Sequence, residues 1–365
     1  MTAAPPRRPR APEVLRRRTL RIGAASWSWR PRPLLVALIM AGLTGAVFVR
    51  ALLAFDDYPM GAAEVVSVLL GGGGGGERFV LFQLRMPRAL AGALVGAALG
   101  LSGAILQGLT RNPLASPDTI GIGWGASVGA VAVMVVGGSA GGVSGAASQI
   151  GIPAGAIVGG LVAAAVVFGL SWRSGVQSTR LLLVGVAVSL ICANLVYWAM
   201  TWSDVNDAAR AQTWITGSLH AADWDRATPA AIVLAVLLPL TLAAARAIAA
   251  LGLGDDTALG LGVRVDAAKL SLLLGAALLV CLATAAAGPI TFVALAAPQI
   301  ALRLCRTPQP PLVTSMLTGA AVTLAADQLA AGLFAVQLPV GVFTALLGAP
   351  YLMYLIVRSH RESRI

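Results

Sequence analysis

Charge is what this chain most lacks. Only 11% of its 365 residues are Asp, Glu, Lys or Arg, against about 25% in soluble domains, so an ordinary water-soluble globule is excluded. Lysine is almost absent. With Lys269 as the only one, no G-x-x-x-x-G-K-[ST] loop can be written, and the six glycines from Gly71 to Gly76 are a spacer. Cys192, Cys281 and Cys305 are the only cysteines. They lie scattered in or beside apolar runs and read as small hydrophobes, not as a disulfide framework or metal set. His220 and His360 are too separated to build a ligand cluster, so no metal site is expected. No catalytic group is expected either. The one acidic cluster, Asp204, Asp207, Asp223 and Asp225, falls in a polar segment that reads as a solvated loop.

What the chain does have is apolar length. It is 58% hydrophobic, with mean hydropathy +0.83, and runs long enough for a spanning helix of roughly 20 residues fill most of it from Pro33 onward. Lipid leaves no water for backbone groups, so spans must be helices or a closed barrel. The alternation of barrel strands is missing. The expected fold is therefore all-α, a polytopic bundle of about ten helices near 33–55, 87–109, 120–138, 152–171, 181–201, 228–250, 269–287, 289–304, 312–334 and 339–357. Gly288-Pro289 divides the seventh from the eighth, because proline lacks a donor and clashes with the preceding turn. The organisation expected is a tail over 1–32, a membrane domain over 33–358 and a short tail over 359–365.

An even number of spans puts both termini on one side. If that side is cytoplasmic, only Arg50, Arg78, Arg85, Arg88, Arg210 and Arg226 of the 26 basic residues lie outside, as the positive-inside rule requires. The first tail, with Arg7, Arg8, Arg10, Arg16, Arg17 and Arg18 among four prolines, reads as disordered and cytoplasmic,. Its partner by composition is anionic membrane lipid rather than nucleic acid.

A pathway through such a bundle needs an energy source. Carriers coupled to ions hold costly ionisable groups inside the membrane, and Asp327 is the one clear acidic candidate within a span. Gln107, Asn194 and Gln299 either line a path or join helices. Nothing forms a proton relay. If ATP drives transport, the ATPase is a separate subunit, and ATP and Mg sit there; this chain binds no cofactor. A docking surface for it is sought in GLGDDTALGLGVRVDAAK, 252–269, where Asp255 and Asp256 favour a helix start and Gly260 and Gly262 a stop,.

RMPRALAGALVGAALGLSGAILQGLTRNPLASPDTIGIGWGASVGAV (85–131), GDDTALGLGV (254–263), GPITFVALAAPQIALRL (288–304) and LPVGVFTALLGAP (338–350) together resemble FecCD-type ABC permeases. These are membrane subunits of bacterial importers for iron-siderophores, haem and cobalamin. The resemblance spans roughly Pro33 to Arg358. It implies a bacterial inner-membrane protein with a second permease subunit, homodimeric or heterodimeric, cytoplasmic ABC ATPases and an extracytoplasmic binding protein. On this resemblance Gly254, Asp255, Asp256, Ala258, Leu259, Gly260, Leu261, Gly262 and Val263 fall on the ATPase-coupling helices. Arg85 and Arg88 match an outer R-x-P-R pair that docks the binding protein; from the residues alone they read as snorkelling anchors. The cargo implied is a ferric siderophore.

Three positions depart from the family pattern: Ala331 where an arginine is common, Gln299 in place of His, and Gln337 in place of Glu. In the first signature Asn112 and Pro113 make a turn, and Gly121, Gly125 and Gly129 open a helix, with Gln107 before them. GIGWGA can be forced onto a dinucleotide fingerprint, but no strand precedes it, so the glycines are expected to serve close helix packing. The competing readings are an ion-coupled secondary transporter and a membrane enzyme acting on a lipid-linked substrate.

Overall fold

The structure, a computed structural model, describes residues 18–22, 25–29, 31–53, 58, 60–139, 146–172, 178–333 and 337–362. Much of the expected tail over 1–32 lies outside these. Within it, two strands, β1 (Arg18–Ile22) and β2 (Ala25–Trp29), pair antiparallel. The rest is helical: α1 (Pro31–Leu53), α2 (Ala62–Leu69), α3 (Gly75–Phe79), a π-helical turn (Val80–Arg85), α4 (Met86–Thr110), α5 (Ile122–Ser139), α6 (Ala146–Ser171) and α7 (Ser178–Thr201). There follow α8 (Val205–Ile215), α9 (Trp224–Ala243), α10 (Ala245–Leu251), α11 (Asp255–Gly260), α12 (Val265–Ala287), α13 (Val293–Cys305), α14 (Leu312–Gly332) and α15 (Val340–Glu362).

Among the described residues seven helical stretches are long and apolar enough to cross a membrane, and three shorter apolar helices, within α5, α13 and α15, stand at the remaining expected spans. The second span is longer than the apolar pattern suggests. It runs from Gly75 to Thr110 without a break, whereas the arginines and Pro87 point to a start at residue 87. The helix continues because the wider π-helical turn precedes Pro87 and because those arginines find partners inside the protein, as described below,.

α4 is the central element: 83% of its most apolar window is buried, and α12, α13, α14 and α9 pack around it. Small residues allow this. A Cβ on Gly96 would overlap the Gly319 carbonyl of α14, and one on Gly103 would overlap the Ala294 carbonyl of α13. With no hydrophobic drive between helices in lipid, such close backbone approach is the main source of association. The same device joins α5 to α6, where Gly125 and Gly129 meet Gly155 and Gly159 backbone to backbone.

Among the described residues two segments enter the bundle without helix. At about 1.5 Å per residue the 13 residues of α13 reach only part of a bilayer, and the segment 288–292 covers the remaining depth. Non-helical backbone survives there only if protein satisfies it. The Gly288 N–H bonds Thr284 O at 2.8 Å, Ala287 O accepts from the Ser218 N–H at 2.8 Å, and the Asp118 carboxylate accepts from the Phe292 N–H. The second passage, 112–121, packs on the middle of α7, where the Ser189 hydroxyl donates to Asp118 O at 3.3 Å. Gly121 (φ +84°) turns the chain there into α5.

Candidate functional site

One end of the bundle gathers the segment expected to couple. α4 ends in a left-handed Arg111 (φ 54°), and the Asn112 side chain accepts the Leu114 N–H at 2.9 Å, which closes the Asn-Pro turn. Arg111 reaches Asp255 at 3.9 Å, and Lys269, buried at the start of α12, holds the other carboxylate oxygen of Asp255 at 2.6 Å. Gly254 (φ +117°) makes the bend before α11, a conformation that a Cβ would strain,. Ala258 is buried, and Gln309 clasps α10 by donating to Ala249 O at 3.2 Å. These contacts fix the 254–263 segment against the bundle and turn Leu253, Leu259 and Leu261 outward, all exposed. Asp256, Gly260 and Gly262 are exposed with them, and Val263 is half-buried. The sequence alone does not join Lys269 and Arg111 to Asp255; a lone lysine opening an apolar helix is the signal that marks the first.

The middle of the bundle joins two expected polar residues. Gln299 donates to Gln107 Oε1 at 2.7 Å, and Gln107 donates to Leu295 O at 3.1 Å, all buried. Gln299, the departure from the family's His, is thus a neutral partner for α4. Asn194 is exposed and bonded back to Leu190 O within its own helix, so it joins no other element.

The opposite end corrects one expectation. Arg85 and Arg88, expected as outward docking cations, are 1% and 7% exposed. Arg85 donates to Leu52 O at 2.8 Å and to the carbonyls of Leu53 and Tyr58, tying α1 and the segment after it to the π-helical turn. Arg88 makes a two-pronged bond to Asp327, Nε to Oδ2 and NH2 to Oδ1, each 3.1 Å. Spacing could not reveal this, because the residues are 239 apart in sequence. A guanidinium drawn inward by a carboxylate on a neighbouring helix is unavailable as a surface charge. Asp327, expected on a packing face or path, is a packing residue by the same contact. Nearby, Ala331 packs among apolar residues of α1 and α4, and Gln337 bonds His220.

A helical bundle with seven stretches long and apolar enough to cross a membrane, among the described residues, has the architecture of a polytopic membrane protein. The FecCD transport family matches residues 36–358, and the chain belongs to it. It is thus a permease subunit of the ABC-transporter type, resident in the inner membrane, with ATPase activity in a separate subunit and none of its own. The ferric enterobactin transport system permease protein FepG of Escherichia coli is 37% identical over 330 residues, covering 90% of this chain and 96% of that one. The iron(3+)-hydroxamate import system permease protein FhuG of Bacillus subtilis is 34% identical, covering 90% and 98%. The vitamin B12 import system permease protein BtuC of Citrobacter koseri is 36% identical over 78% of this chain and 85% of its own. A metal-chelate type ABC transporter solved in an inward-facing conformation matches with a TM-score of 0.77 and 27% identity, covering 89% of this chain and 99% of that one.

Proposed function

We propose that this chain imports ferric siderophores as one of two permease subunits, with a binding protein delivering cargo outside and ATPases closing beneath it inside. The observation that carries the reading is the leucine-tipped 254–263 turn, which is rigidly held from behind and exposed in front. A surface held that way transmits a rigid-body push from a partner to the helices behind it, and alternating access follows from such motion. The permeases named for ferric enterobactin and iron(3+)-hydroxamate each cover 90% of this chain and the vitamin B12 permease 78%, which supports the siderophore reading. In this reading the α11 end is cytoplasmic.

The ion-coupled alternative has little to stand on. The intramembrane carboxylate Asp327 is engaged by Arg88 and is not poised to relay a proton. The test is uptake of a ferric siderophore into proteoliposomes containing the chain with its co-purified ATPase and binding protein. Uptake that requires ATP is expected. Uptake driven by an ion gradient without the ATPase overturns the proposal.

A further inference from the structure

The end of the bundle away from α11 holds a cavity of about 710 Å³ between α5, α6, α8 and the start of α9. That falls within the roughly 300–1,000 Å³ of small-molecule sites. Met134 and Trp214 supply apolar wall, while Arg210, Arg226, Asn206 and His220 bring polar groups to it, and among the described residues no carboxylate lines it. The acids of this loop stand beside its cations, and Asp223 and Asp225 border a neighbouring cavity with Arg226. Asp223 caps α9 by accepting the Arg226 backbone N–H at 3.1 Å, and Asp207, 14% exposed, pairs at 3.5 Å with Arg210, which is itself 67% exposed. Among the described residues Arg226 has no ion-pair partner. His220 is fixed by Ser218 at 3.0 Å and by Gln337. Because Gln337 is neutral, it adds no negative charge beside the site.

The geometry points to a binding site for an anionic metal chelate, whose negative oxygens meet Arg210 and Arg226 while its apolar or aromatic face rests on Trp214. Guanidinium recognises oxyanions by charge-assisted bonds, and an indole face suits a flat ring. This inference rests on the import reading and adds the charge of the cargo to it. An anionic lipid headgroup carries the same chemistry, so the test must separate the two.

The full chain, in nanodiscs of phosphatidylcholine, is titrated with a triply anionic ferric tris-catecholate and a neutral ferric tris-hydroxamate, both carrying radioiron. The catecholate is expected to bind more tightly. Arg226→Gln should weaken it about tenfold, the loss of one charge-assisted contact, and Arg210→Gln with Arg226→Gln by more, with the hydroxamate unmoved. Arg226→Lys should restore part of the affinity, and Asp207→Asn, which releases Arg210, should tighten binding; neither is explained by misfolding. Equal binding of the catecholate to the unaltered chain and the double variant overturns the site. So does displacement of the catecholate by added phosphatidylglycerol, which assigns the cavity to lipid. Failure of the import reading shows differently: ATP-driven uptake is then absent for the unaltered assembled transporter although chelate binding persists.

Discussion

Arg88 and Asp327 show how much a single partner alters the meaning of a residue. In the linear chain each is a costly charge in an apolar run; in the fold they satisfy each other across α4 and α14 at 3.1 Å. Removing one partner strands the other in a low-dielectric interior. Arg88→Ala is therefore expected to destabilise the detergent-solubilised chain by about 3–5 kcal/mol, whereas Arg88→Met with Asp327→Leu should recover most of that. Thermal unfolding of the three variants checks the order. The pair was not legible because ion pairing between distant helices leaves no periodic trace. Gln107 and Gln299 were legible as polar residues on apolar faces, but which residue each would meet was not.

Helices and turns were easier to read. The hydrophobic runs mark the spans because lipid forces the backbone to bond within each segment, and Gly288-Pro289 marks the break before α13 for a local reason. The start of the second span was misplaced, since a π-helical turn and internally bonded arginines are not written in hydropathy. In α5, Gly125 and Gly129 lie against the backbone of α6. Gly129→Val should push α5 and α6 apart and cost about 1–3 kcal/mol, as overpacking does, read as a lower unfolding temperature. On α11, Leu259→Asp should leave folding unchanged, the side chain being exposed, and lower the yield of co-purified ATPase severalfold. An unchanged ATPase yield removes this turn as the coupling surface.

At the scale of the whole molecule the question is which end faces the cytoplasm. Arg32 at the start of α1 bonds Leu304 O at 3.1 Å, which puts the beginning of the bundle at the same end as α13's close and the clasped α10–α11 turn. We propose, from the positive-inside count, that this end is cytoplasmic. A membrane-impermeant maleimide should then label Val205→Cys in intact cells and Leu261→Cys only after permeabilisation. Cys281 and Cys305 are buried and should give little background, and the half-buried Cys192 is replaced in both variants by Cys192→Ala. The reverse pattern would invert the orientation and with it the direction of transport.

Composition and apolar run length by themselves determined that this protein lives in a membrane as a helical bundle, because the hydrocarbon core permits almost nothing else. Missing lysines ruled out a nucleotide-binding loop in the same local way, and the motif order along the chain pointed to its family. Tertiary structure alone decided the fate of the charges. Arg85 and Arg88 turned inward, Lys269 and Arg111 gathered on Asp255, and Arg210 and Arg226 came to one cavity. The reason is physical: hydropathy is a property of each segment, whereas the partner of a buried charge is set by which helices pack together.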